Sequence, residues 1–175
     1  IYIYVNNLND NAPSFTFTGP FSAPENQVYV DNLISATDDD GDDLTFSLAN
    51  EDAADLSIFS SNSEGNLFFN NAPNFEEKDS YSFDVIVSDG VFSASERITV
   101  AITDQNDLPQ FTSSSIFYYD ENQQSIGTVV ATDEDGQSLV YSISSYQDDG
   151  RGVSIDGVTG TLFFAADELP DYEDG

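Results

Sequence analysis

Tyr81–Ser88 reads YSFDVIVS, with Tyr81, Phe83, Val85 and Val87 on one side of an extended chain and Asp84 and Ile86 on the other. Strand side chains alternate between faces, so this is a half-buried antiparallel strand. Further short runs surround it: Ile1–Val5, Val28–Ile34, Leu44–Leu48, Leu67–Phe69, Ile98–Ile102, Thr128–Val130, Leu139–Ile143 and Thr161–Phe164. Most are rich in β-branched or aromatic residues and bounded by Gly, Pro, Asn, Asp or Ser, the pattern of an all-β sandwich. No stretch carries a sustained helical period, and Glu51–Leu56 suffices for one helical turn.

An internal repeat sets the organisation. Pro24-Glu25-Asn26-Gln27 returns as Asp120-Glu121-Asn122-Gln123, and Ala36-Thr37-Asp38-Asp39-Asp40-Gly41 as Ala131-Thr132-Asp133-Glu134-Asp135-Gly136. Leu44–Ser47 matches Leu139–Ser142, Gly65–Phe69 matches Gly160–Phe164, and Asn9-Asp10 matches Asn106-Asp107. The blocks keep their order, and the two Asn-Asp pairs stand 97 positions apart, a normal size for one sandwich domain. The expected division is 1–9, the last strand and linker of a preceding unit; 10–107, a complete unit; and 108–175, a unit without its final two strands. Ile1–Val5 then has the character of a last strand, and it is expected to pair with a second copy of the chain, giving a filament if repeated head to tail.

Charge narrows the chemistry. The 175 residues carry 33 Asp plus Glu against 3 Lys plus Arg, a formal net charge of −30, which repels phosphate and argues against a nucleic-acid partner. Such acidity can signal disorder, but 14 Phe and 9 Tyr supply material for cores. With neither Cys nor His there is no disulfide, no thiolate or imidazole metal site and no Ser-His dyad. The acids also recur at the ends of predicted strands: Glu25 before one, Asp38 and Asp40 after another, Asp89 after Tyr81–Ser88, with Asp104, Asn106 and Asp107 in the linker. Clustered carboxylates repel unless a cation sits among them, and calcium takes about six to eight oxygen ligands of this kind. Asp38–Asp43 (DDDGDD) is no EF-hand, since its Gly41 falls at the fourth position and Ala49 occupies the twelfth.

These motifs resemble the extracellular cadherin repeat over essentially the whole chain. Glu25 matches the family's xEx, Asn74-Phe75-Glu76 stands where DxE belongs, Asp104-Gln105-Asn106-Asp107-Leu108 stands for DxNDN, and Asp133-Glu134-Asp135 for DxD. Asn74 replaces an Asp at the cost of one charge, Leu108 replaces an Asn that uses its carbonyl, and Asn7-Leu8-Asn9-Asp10-Asn11 begins with Asn instead of Asp. The resemblance implies tandem Greek-key, immunoglobulin-like sandwiches with about three calcium ions at the complete joint. Glu25, Asn74, Glu76, Asp104 and Asp107 would hold the first two, with the Gln105 carbonyl and Asp135 completing the second. Asn106, the Leu108 carbonyl, Asp133 and Asp135 would hold the third. Asn9, the Asn11 carbonyl, Asp38, Asp40 and Asp89 would form one site at the N-terminal joint.

The expected function is a calcium-rigidified adhesion or spacer module, extracellular or at the cell surface, with homophilic or heterophilic protein contacts. The alternative is a carbohydrate-binding accessory module of a secreted polysaccharide-active or matrix protein, for which an exposed member of the Tyr118-Tyr119 pair would be the stacking platform. Catalysis is not expected, because the acidic pairs are already accounted for by calcium. The family's strand exchange through an N-terminal Trp is excluded, since the chain has no Trp. The absence of Cys and of Asn-x-Ser/Thr sequons, with few Lys and Arg, points to a bacterial source.

Overall fold

The structure is a computed structural model that describes residues 1–61, 63–144, 152–164 and 169. Asp148, Asp149 and the C-terminal stretch 170–175 lie outside the described residues. The chain divides into two compact units, Ile1–Gln105 and Asn106–Gly175.

Unit 1 is a sandwich of two four-stranded sheets. One holds β1 (Ser14–Phe15), β3 (Ile34–Thr37), β6 (Glu64–Phe69) and β5 (Leu56–Ser61), in that order. The other holds β2 (Phe21–Pro24), β8 (Ser93–Thr103), β7 (Ser80–Ser88) and β4 (Thr45–Ala49). All pairings are antiparallel except β2 with β8, so the N-terminal segment divides between the sheets, as a Greek-key immunoglobulin-like sandwich requires. Phe83, Val85 and Val87 of β7 are fully buried, as alternation demands, while Asp84 and Ile86 are half-buried on the other face. They meet Ile34, Leu67, Val100 and Val30 in one continuous core. Glu51–Asp55 forms a single 3-10 turn, and its Asp52 carboxylate accepts the Ser82 N–H at 2.8 Å and pairs with Lys78.

In unit 2, β9 (Gln110–Phe111) pairs with β11 (Ala131–Thr132). The registers Phe111↔Ala131 and Gln110↔Thr132 repeat Phe15↔Ala36 and Ser14↔Thr37 of unit 1. A second sheet orders β10 (Ser125–Thr128), β13 (Thr161–Phe164) and β12 (Val153–Ile155). Tyr119 packs edge-on against Phe164, ring centroids 5.1 Å apart, and Tyr118 faces solvent. Asn26 and Asn122, the paired Asn of the Glu-Asn motifs, both take left-handed backbone (φ 61° and 59°), which Asn tolerates better than most residues.

Four sequence expectations need correcting. Ile1–Val5 forms no strand, because it finds no ladder within the chain, and all five side chains are exposed. Leu139–Ile143 alternates like β4 yet is also not a strand. Its pairing partner in unit 1 is β7, and no counterpart of β7 exists among the described residues of unit 2. Val28–Ile34 shrinks to an isolated Tyr29↔Phe68 bridge and the first residue of β3, since left-handed Asn32 (φ 74°) breaks the extended run. Thr128–Val130 is not one strand but the end of β10 and the gap before β11.

The burial pattern of β7 is open to a direct test. Phe83→Ala should lower the stability of unit 1 by about 3–5 kcal/mol, whereas Ile86→Ala on the opposite face should cost about 1 kcal/mol or less. Urea unfolding followed by fluorescence measures both, and equal losses would contradict the assigned faces.

Candidate metal centre

Three loops meet at one end of unit 1: the segment entering β1, the turn leaving β3 and the turn between β7 and β8. The β3 turn is closed by Gly41, whose left-handed backbone (φ 76°) lets its N–H reach the Asp38 carbonyl at 3.2 Å. Asp38 Oδ1 accepts the N–H groups of Asp40 at 3.0 Å and Asp42 at 3.3 Å. In the β7–β8 turn, Asp89 Oδ1 accepts from Val91 at 2.7 Å and Phe92 at 2.6 Å. Asp40 ties the entering segment down: its Oδ2 takes the N–H groups of Asp10 (2.9 Å) and Asn11 (2.7 Å), and its Oδ1 takes the Asn11 side-chain amide (3.0 Å).

Each of these turns uses one oxygen and leaves another. Asn9 Oδ1, Asp38 Oδ2, Asp42 Oδ2 and Asp89 Oδ2 are all buried and accept no hydrogen bond. Buried acceptors are normally satisfied, so four orphaned oxygens at one end of a sandwich are a strong exception. Asp38, Asp40 and Asp42 each bring a carboxylate oxygen within 4.8 Å of the others. Burial, then the charges of Asp38, Asp40, Asp89 and Asp43, push the Asp42 carboxyl above its usual range. Burial would also raise Asp89, but the Phe92 and Val91 N–H groups and the Asn9 amide outweigh it and hold the group below its usual range. The main-chain donors of Asn11 and Asp10 hold Asp40 low as well. The donor set is all oxygen and mostly anionic, which fits a hard divalent cation such as calcium.

The predicted residues Asn9, Asp38, Asp40 and Asp89 therefore gather here, while Asn11 acts through its N–H and amide on Asp40. Asp42 was not among them. The second Asp-Asp pair of DDDGDD was its only trace in the sequence, and the turn at Gly41 is what folds it back toward Asp38.

At the opposite end of unit 1, Glu25 is the one fully buried charged side chain among the described residues. Its Oε2 accepts the Phe75 N–H and its Oε1 the Gln105 N–H, both at 2.8 Å, so one carboxylate fastens the end of β2 to two other segments. Carboxylate oxygens of Glu25 and Glu76 approach within 4.8 Å, as do those of Glu76 and Asp104. Asn74 Oδ1 accepts the Glu77 N–H at 2.9 Å and shapes the turn that carries Glu76, and the Gln105 side chain donates to the Asp104 carbonyl at 2.6 Å.

Unit 2 repeats the loop geometry of unit 1 on its own residues. Asp135 Oδ2 accepts the Asp107 N–H at 2.7 Å, and Asp133 Oδ1 accepts the Gln137 N–H at 3.1 Å. Gly136 (φ 72°) reaches the Asp133 carbonyl at 3.2 Å. Asn106 Oδ1 accepts the Gln137 side-chain amide at 2.5 Å, and Leu108 is exposed.

Comparison with known proteins places this geometry in context. The family described as "Bacterial Ig domain" matches residues 9–104. The chain is 26% identical to the Fat-like cadherin-related tumor suppressor homolog of Drosophila melanogaster over 93% of this chain and 4% of that protein. It is 31% identical to Chitinase A of Pseudoalteromonas piscicida over 78% of this chain and 16% of the enzyme. The chain thus spans a small part of the curated relatives it matches. Human Protocadherin-24 EC1-2 superposes with a TM-score of 0.54 at 19% identity, covering 96% of this chain and 82% of that one, a likeness of fold.

The crowding at Asp42 has a measurable consequence. A carboxyl whose folded pKa is raised is destabilising when charged, and the penalty disappears as pH falls through that raised value. With chelator present, Asp42→Asn should therefore melt at a higher temperature than the parent at pH 7, and the gap should narrow as the pH is lowered toward the ordinary carboxylate range. A variant that melts lower than the parent in chelator would show that Asp42 is not under electrostatic strain.

Proposed function

We propose that this chain, which belongs to the bacterial Ig domain family through residues 9–104 and is built of cadherin-type repeats, is a calcium-stiffened adhesion or spacer module of an extracellular or cell-surface protein. The observation that carries this is the set of four buried oxygens without donors at Asn9, Asp38, Asp42 and Asp89. A divalent cation supplies the positive charge they lack, and those four residues with Asp40 and the Asn11 carbonyl would hold it.

The same chemistry extends to the linker between the repeats. Glu25, Asn74, Glu76, Asp104, the Gln105 carbonyl, Asp107 and Asp135 would serve two ions there, and Asn106, the Leu108 carbonyl, Asp133 and Asp135 a further one. Supporting this are the order of the motifs along the chain and the approach of Glu25, Glu76 and Asp104 within unit 1. Without the ions these acids repel one another and the linker gains freedom. With them, the main chain is held by ligands on both sides. A stiffened array holds binding surfaces away from their attachment point, and the partner would be a second copy or a different surface protein. The reading assigns no reaction.

A second reading, a carbohydrate-binding accessory module, draws on the likeness to Chitinase A and on the exposed ring of Tyr118. A glycan array run with and without calcium separates it from the first.

Calcium at millimolar levels should raise the melting temperature by several degrees or more, because an ion that binds only the folded state stabilises it by mass action. Asp38→Ala or Asp89→Ala should remove most of that gain. Glu96→Ala, an exposed side chain of β8, should leave it intact. Equal losses from all three would mean that calcium merely screens charge.

A further inference from the structure

The two repeats present the same loop with one telling exchange. Asp38, Asp40 and Gly41 correspond to Asp133, Asp135 and Gly136, and the next position is Asp42 in unit 1 but Gln137 in unit 2. Both residues send their N–H to the first Asp of the loop, Asp42 at 3.3 Å and Gln137 at 3.1 Å, and each follows a left-handed Gly bonded to that Asp's carbonyl at 3.2 Å, so the two side chains leave equivalent turns. Both loops also anchor the segment before them through the third acid, Asp40 to the Asp10 N–H and Asp135 to the Asp107 N–H.

What differs is the fate of the linker Asn. In unit 1, Asn9 Oδ1 is buried with no donor, and Asp42 Oδ2, in the same condition, belongs to a carboxylate that feels the charge of Asp89, the acid the Asn9 amide bonds. In unit 2, the equivalent Asn106 Oδ1 is taken by Gln137 Nε2 at 2.5 Å. Gln137 therefore removes a negative charge and also supplies an internal donor to an oxygen that a cation would otherwise take.

We propose that the residue at this position grades the calcium affinity of the two repeats: Asp42 makes the loop of unit 1 a strong site, and Gln137 makes the loop of unit 2 a weak one that is satisfied without an ion. This rests on the calcium reading above and adds a residue and a ranking to it. An ion entering at Asn106 must displace a formed hydrogen bond and gains no charge from the amide. An ion entering at Asn9 displaces nothing and gains a carboxylate. Ligand charge is a principal lever on calcium affinity in oxygen sites. As calcium falls, the loop of unit 2 releases first and that of unit 1 last.

Gly41 and Gly136 report on the two loops separately, so a calcium titration of the whole chain followed by the amide resonances of these glycines is the test. In the parent, Gly41 should reach its midpoint at a calcium concentration at least tenfold below that of Gly136. Asp42→Gln should raise the Gly41 midpoint by tenfold or more and leave Gly136 in place, and Gln137→Asp should lower the Gly136 midpoint by a similar factor. If both glycines respond but neither substitution moves its own midpoint more than twofold, the grading is wrong while calcium binding stands. If neither glycine responds to calcium in the parent, the calcium reading fails and the grading with it.

Discussion

An oxygen without a hydrogen-bond donor is the constraint on which this molecule turns. A chain with 33 acidic residues and 3 basic ones cannot neutralise its carboxylates by pairing, and the fold gives its Lys78 to Asp52 and its Arg97 to Asp84. What remains for the acids is backbone N–H, and turns supply a limited number of those. Asp38 and Asp89 each spend one oxygen on the backbone and keep one back, and the oxygens kept back collect at the same end of the sandwich. A Greek-key topology makes this possible, because the ends of β3 and β7 and the entry to β1 emerge together although they are distant in sequence.

Glu25 shows the other solution to the same constraint. Both of its oxygens receive main-chain donors, so it can be fully buried and serve as a structural tie between the end of β2, the turn at Phe75 and the end of β8 at Gln105. A carboxylate with both oxygens satisfied holds backbone together. A carboxylate with one oxygen satisfied holds a loop in place and keeps the second oxygen buried without a donor. The chain uses both kinds: Glu25, Asp38 and Asp89 each take two main-chain N–H groups, and what separates them is whether those donors reach both oxygens or only one.

Much of this was legible beforehand. The alternation in Tyr81–Ser88 corresponds to the burial seen in β7, and the recurring blocks align with β1–β3 and β9–β11 in the same register. What escaped the sequence was whatever depended on a partner. Leu139–Ile143 has the alternation of a strand, but strand formation requires a neighbouring ladder, and alternation says nothing about whether one exists. Ile1–Val5 failed as a strand for the same reason. The role of Asp42 is not legible in the sequence, because an Asp after a Gly in an acidic run has the pattern of a solvated turn. Only the left-handed conformation at Gly41 brings it back against Asp38. The contact of Gln137 with Asn106 was hidden because nothing in a list of acidic motifs draws the eye to a Gln.

Asp40 links the acidic loop to the path of the chain. Its carboxylate binds the N–H groups of Asp10 and Asn11 and the Asn11 amide, and its own main-chain carbonyl accepts the Asn7 amide at 2.6 Å. The segment entering unit 1 is therefore held by the same short loop that carries Asp38 and Asp42. Three of these bonds involve a carboxylate, and such charge-assisted bonds are stronger and more directional than neutral ones. Any charge that draws Asp38, Asp42 and Asp89 together also fixes the loop on which Asp40 sits, and through Asp40 the direction in which residues 7–11 leave the sandwich. The path of the chain at this end thus follows from two acids two positions apart: Asp40, whose two oxygens take the donors of Asp10 and Asn11, and Asp38, which keeps one buried oxygen without a donor.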